Sequence, residues 1–165
     1  MRRIGHRLGA ASTPLALALA FAFTGVVPAC KTPNTAAPNA ATVTIDTGAR
    51  KVPFQVELAV TSAEHERGLM FREHMAPDVG MLFISDSPRR QVFWMKNTLI
   101  PLDMIFIGAD WRIAGIVENA EPRTLTSRDV GVPSQYVLEI NGGLSARYGL
   151  RAGQLVDFQA GSARK

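Results

Sequence analysis

Ten consecutive residues, Trp94-Met-Lys-Asn-Thr-Leu-Ile-Pro-Leu-Asp103, bring an indole, an ammonium, an amide, a hydroxyl and a carboxyl together between two apolar runs. Functional groups concentrate on loops held by a rigid scaffold. If Lys96, Asn97, Thr98 and Asp103 converge, they form a site for a polar ligand stacked on the Trp94 ring. Sugars and peptides are read this way, by one aromatic face and a few polar contacts. The same residues have an architectural reading. Asn97 and Thr98 suit a turn, Pro101 fixes the backbone, and Asp103 can accept from loop N–H groups.

Two more charged residues stand among apolar neighbours: Arg72 follows Phe71, and Glu139 lies between Leu138 and Ile140. Charges beside a core are usually paired, so Arg72 is expected to meet Asp103 or Glu139, as a structural ion pair or as part of a ligand site. A hydrolytic reading uses Asp103 and Glu139 as acid and base, with Arg72 or Lys96 steadying negative charge. It requires both carboxyls in one pocket, within about 10 Å for glycoside-type chemistry. His65 and His74 match no common zinc spacing, and no His-Glu-x-x-His occurs. A Gly-x-Ser-x-Gly elbow, a phosphate-cradling loop and a dinucleotide fingerprint are also lacking. Asn141-Gly142-Gly143 ahead of a short helix is a tight-turn signature. No cofactor or metal is expected. The leading expectation is a domain that binds a small polar ligand, a glycan or a protein partner without turnover. A purely structural assembly subunit is the third reading.

The elements that must position these groups are mostly strands. Val52, Phe54, Val56, Leu58 and Val60 alternate with polar or small residues, the period of a half-buried strand. Val43–Ile45 predicts a preceding short strand, with Thr47-Gly48 in the turn. Thr61-Ser-Ala-Glu64 is a capping box that starts a helix through Arg67 and ends at Gly68. Gly80–Ile84 and Gln91–Met95 predict further strands. Asp103–Ile107 and Ile113–Val117 predict a hairpin around Gly108-Ala-Asp110. Tyr136–Ile140 and Leu155–Phe158 complete the strands, and Leu144–Tyr148 predicts a short helix closed by Gly149. The fold class is therefore mainly β (α+β): a compact twisted sheet or partly closed β-barrel with one or two short helices.

The chain has 165 residues with 47% hydrophobic, room for one ordinary domain. Its formal charge is +4. Setting Arg2, Arg3 and Arg7 apart from the 18 basic residues leaves 15 against 14 acids. The remainder has no basic stripe with interleaved aromatics, which argues against nucleic acid. Those three arginines, the apolar run Leu15–Phe23 and Val27-Pro-Ala-Cys30 read as a secretory signal over residues 1–29. The cut would fall before Cys30, the chain's single cysteine. Val27–Cys30 resembles a lipobox, which implies a lipid on Cys30 as membrane anchor. Residues 30–42 form the anchor and a Pro- and Asn-containing flexible tether, with a reach on the order of 18 Å. By resemblance to enteric lipoproteins, Lys31 in place of Asp implies the outer membrane, facing the periplasm. Residues 43–160 are the domain, and 161–165 a disordered basic tail.

Five segments of that domain occur in a recognisable order: Gly68-Leu-Met-Phe-Arg72; Gly80-Met-Leu-Phe83; Phe93-Trp-Met-Lys-Asn-Thr98; Pro101-Leu-Asp103 with Phe106; and Leu138-Glu139 through Gly143. Together they resemble the domain of unknown function 192 family, across about Val43 to Gln159. Ile140 and Gly142 depart from that pattern, where Leu and Ala are commoner. The resemblance implies a compact β-rich fold, often behind a signal peptide or lipoprotein signal, and no particular activity.

Overall fold

The computed structural model describes residues 41–161. The signal segment 1–29, Cys30, the tether up to residue 40 and the tail 162–165 lie outside the described residues.

Seven strands and two short helices follow in the order β1 (Ala41–Asp46), β2 (Lys51–Ala59), α1 (Ser62–Arg67), β3 (Val79–Arg89), β4 (Leu102–Ile107), β5 (Ile113–Ala120), β6 (Ser134–Asn141), α2 (Leu144–Tyr148) and β7 (Leu155–Gln159). The strands form one sheet ordered β5-β4-β6-β3-β2-β1-β7. All neighbours run antiparallel except β2 and β3, which α1 connects in parallel.

The sheet curls until its two edge strands touch at one end. Arg112 bridges Leu155, Val156 N–H donates to Trp111 O at 2.8 Å, and Ile113 N–H donates to Gln154 O at 3.0 Å. Trp111 closes this corner, stacked on Tyr136 at 4.1 Å and on Phe158 at 5.6 Å between ring centroids. The result is a half-barrel, within the expected class of twisted sheet or partly closed barrel.

Alternation along the strands assigns each residue to a face. Val43, Ile45, Phe54, Val56, Leu82, Ile105, Ile107, Leu138 and Ile140 fill the concave side, which Leu144 and Leu150 close at α2. On the central strands the convex side is buried too. Met81, Phe83, Leu102, Met104, Phe106 and Val137 pack there under Leu69 and Met95, which come from the connections that cross over them. This explains why β4 is buried at every position and reads as an unbroken apolar run. Gly80 lets β3 and β6 approach closely: a Cβ there would sit 2.6 Å from the Glu139 carbonyl oxygen.

The capping box is present as expected. Thr61 Oγ1 accepts from Glu64 N–H, and the Glu64 carboxylate accepts from Thr61 N–H. Gly149 closes α2 in the left-handed region (φ 67°). One strand expectation fails. Gln91–Met95 forms no strand; Phe93 alone makes a bridge, to Arg128, and Met95 N–H donates to Thr124 O at 2.9 Å. Phe93 and Met95 point inward and Val92 and Trp94 outward, so the strand period is real but no ladder partner runs alongside. Among the described residues no helix is long and apolar enough to cross a membrane.

Candidate functional site

Chain direction over the convex face decides where the polar groups fall. After β3 the segment 90–101 passes across the outer faces of β3, β6 and β4 with Met95 fully buried beneath it. Its neighbours Trp94 and Lys96 therefore turn outward. The Trp94 residue is 51% exposed, and Lys96 Nζ lies 5.7 Å from its ring centroid. A turn follows: Thr98 N–H donates to Met95 O at 3.1 Å, with Asn97 in the left-handed region (φ 55°). Asparagine tolerates that conformation better than most residues. The Asn97 carbonyl accepts from Phe71 N–H at 2.9 Å and its amide donates to Met70 Sδ, so the turn is tied to the segment after α1.

Between that segment and residues 89–98 a cleft of about 390 Å³ opens on the convex face. Trp94, Lys96 and Thr98 line it from one side, Arg67 and Leu69 from the other, and Phe83 and Glu139 from below. Under it the rings of Phe83, Phe93 and Phe106 meet edge to face at 5.0 and 6.0 Å. His65 belongs to this framework: its Nε2 lies 2.9 Å from Ala59 O and 3.1 Å from Ile84 O, joining the end of β2 to the middle of β3.

Glu139 is the unusual group. Across the sheet it pairs with Met81 on β3 and Met104 on β4, so a thioether side chain flanks it on either side of the same face. The residue is 4% exposed, and among the described residues its carboxyl has no hydrogen-bond partner. It is not sealed, for its carboxyl opens on the cleft. Burial among apolar atoms penalises the charged form, and nothing offsets it, so the pKa rises from an ordinary 4.5 to about 8. At neutral pH the floor of the cleft is a protonated acid, a hydrogen-bond donor.

Asp103 has the opposite environment. Its register partner is Ile140, one residue on from Glu139, so strand alternation sends it to the concave side. There its oxygens accept from the backbone N–H groups of Asn119 (2.7 Å), Gly143 (2.9 Å) and Ser145 (2.6 Å). The fully buried side chain holds β5 and the start of α2 to β4. Asp103 and Glu139 thus face opposite sides of the sheet, and the acid–base pair they would form is not assembled.

Arg72 meets neither of its expected partners. It forms an ion pair with Glu57 on β2, beside a separate depression lined by Phe71 and Arg67. Asn97 lines a shallow neighbouring hollow with Phe71, Lys96, Arg123 and Leu125. The structure therefore gathers Trp94, Lys96, Thr98 and Glu139 around one cleft and leaves Arg72, Asn97 and Asp103 outside it. Arg67, Arg89 and Gln91 line the cleft although their types and spacing did not single them out. The one signal for Arg67 was its place directly before the Gly68–Arg72 segment, and Arg89-Arg90 reads in sequence as solvated surface. Among the described residues no group of three or more His, Cys, Asp or Glu is placed to hold a metal ion.

These features define a class: a small β half-barrel, covered on its convex face by two connections that leave a cleft above a buried acid. The chain belongs to the DUF192 family, described as an uncharacterised ACR; the family model matches residues 42–158. Similar solved structures include these two. A protein of unknown function from Novosphingobium aromaticivorans is 45% identical with TM-score 0.69, over 70% of this chain and 83% of that one. A putative transcription regulator from Sinorhizobium meliloti is 42% identical with TM-score 0.70, over 73% of this chain and 93% of that one. No functionally curated protein matches.

Two predictions follow from the contrasting carboxyls. Asp103→Ala deprives three N–H groups of their acceptor, one of them buried and two partly so. Urea unfolding should show a loss of roughly 2–4 kcal/mol, and a smaller one for Asp103→Asn, which keeps one acceptor oxygen. For Glu139, the native state keeps its proton while the unfolded chain ionises above pH 4.5. The stability it contributes is full below that value and falls as pH rises, on the order of 1 kcal/mol per pH unit, until the native carboxyl ionises near 8. The urea midpoint of Glu139→Gln should therefore gain steadily on wild type between these limits. A constant difference would show that Glu139 titrates normally.

Proposed function

We propose that this protein is a lipid-anchored, exported envelope protein whose domain binds a small polar ligand, in the first place a glycan, without turning it over. The observation that carries the reading is Glu139: a nearly buried carboxyl, without a protein partner among the described residues, presented to an open cleft. A buried polar group is ordinarily satisfied by protein or water, and one without a protein partner at a cleft floor is available to a ligand. Trp94 supports it from the rim, where a half-exposed indole offers a stacking face beside Lys96. Asp103 is occupied by main-chain amides on the other face of the sheet, so it does not join Glu139 in the cleft as the second carboxyl of a glycoside-hydrolysing pair. The anchor rests on the sequence: the charged start, the apolar run and Cys30 at the expected cut.

The test is a titration of the full chain, extracted from membranes in detergent, with N-acetylglucosamine oligomers and soluble cell-wall fragments, followed by tryptophan fluorescence. The fluorescence should change on binding, and Trp94→Ala should abolish the change while Trp111, stacked elsewhere, remains. Mass spectrometry of the same preparation should find an acylated Cys30 at the N-terminus. Saccharide binding unaffected by Trp94→Ala, or none at all, would refute the ligand reading.

A further inference from the structure

The charges around the cleft are one-sided. Arg67, Arg89 and Lys96 line it, against one acidic side chain at its edge, Glu66. Among the described residues the ion pairs are Arg72–Glu57 and Arg90–Asp129, so none of the three cleft cations has a carboxylate of the protein within ion-pair distance. Arg89 has one long contact, from Nε to Gln91 Oε1 at 3.4 Å. Three unpaired cations around a hollow whose floor is an unpartnered carboxyl and whose rim carries an indole make a composite site. The indole suits a sugar ring, the cations suit an anion, and the carboxyl suits an oxygen acceptor.

We infer that the cleft selects an acidic saccharide, with its ring against Trp94, its carboxylate or phosphate among Arg67, Arg89 and Lys96, and a hydroxyl or ether oxygen accepting from Glu139. This rests on the proposal that the cleft binds a ligand at all, and it adds the charge of that ligand. Arginine presents a planar fork matched to both carboxylate and phosphate, which is why those two substituents share one chemistry here.

The site is sensitive to pH in a defined direction. Glu139 donates to the ligand while protonated; ionised, it would place a negative charge under an anion. The groups facing it from the surrounding elements are Met81 and Phe83 of β3 and Met104 of β4, none of them charged, with His65, Glu66 and Arg67 of α1, Arg89 at the end of β3 and Lys96 of the crossing segment. The informative range brackets the Glu139 value of about 8, from about pH 7 to about pH 9.

Calorimetry of the full chain in detergent can compare N-acetylglucosamine with N-acetylmuramic acid and N-acetylglucosamine 6-phosphate. At least one acidic sugar should bind about tenfold tighter than the neutral one, and the advantage should shrink from low to physiological salt. The carboxylate and phosphate arms show which source of negative charge the site accepts. Arg67→Gln and Arg89→Gln should each lower acidic-sugar affinity about threefold to fivefold. Arg151→Gln, beside β7 and outside the cleft, should not. Acidic-sugar affinity should fall from about pH 7 to about pH 9 in wild type and hold steady in Glu139→Gln, whose amide remains a donor. Equal affinity for neutral and acidic sugars would overturn the inference and leave the binding reading intact. Absence of binding by all three would overturn both.

Discussion

The organisation of this protein depends on the two-residue period of β6 where it lies between β3 and β4. Leu138 and Ile140 turn into the concave core, so Glu139 between them must turn to the convex face. The same pairing puts Asp103, opposite Ile140, on the concave side. A one-residue slip of β6 would turn Glu139 into the apolar concave core and send Leu138 and Ile140 to the convex face. Three main-chain amides wait on the concave side and none on the convex. One acid therefore becomes an architectural fastener, and the other is left unpartnered above a sheet covered on both sides.

Covering the convex face creates the cleft. A half-barrel of this size could leave its outer surface to solvent, yet here the segments 68–76 and 90–101 lie over it and bury Leu69 and Met95. They are held at difficult backbone positions. Phe71 (φ 65°), Asn97 (φ 55°) and Arg123 (φ 59°) all occupy the left-handed region without being glycine. Phe71 N–H donates to Asn97 O and Arg123 N–H to Thr98 O, so the three connections brace one another. Such conformations cost of order 1–3 kcal/mol each and persist where surrounding contacts over-determine them. The walls of the cleft are consequently fixed in shape relative to Glu139.

Local structure was readable from the sequence wherever its cause was local. The alternation in Val52–Val60 marks β2, Thr61 and Glu64 mark the start of α1, and Gly149 marks the end of α2. The ordered segments from Gly68 to Gly143 identify the family. Partnerships across the sheet were not readable, because they depend on register. Arg72 finds Glu57, which lies on the parallel neighbour of β3. Asp103 accepts from N–H groups sixteen to forty-two residues away. Gln91–Met95 keeps the period of a strand while lacking a neighbour to pair with. Within the Trp94–Asp103 segment Lys96 faces the cleft and Asp103 serves the core, and nothing in the local sequence separates the two roles.

The central physical claim is that Glu139 carries a proton at neutral pH beneath an open cleft. Carbon-13 NMR of the full chain labelled at glutamate side-chain carboxyls, with Glu139→Gln identifying the resonance, reads that proton directly. The expected result is a Glu139 carboxyl whose titration centres near pH 8, far above its ordinary value of 4.5. A Glu139 resonance that titrates near the ordinary carboxyl value of 4.5 would contradict it, and would mean that water or a protein group solvates the carboxylate.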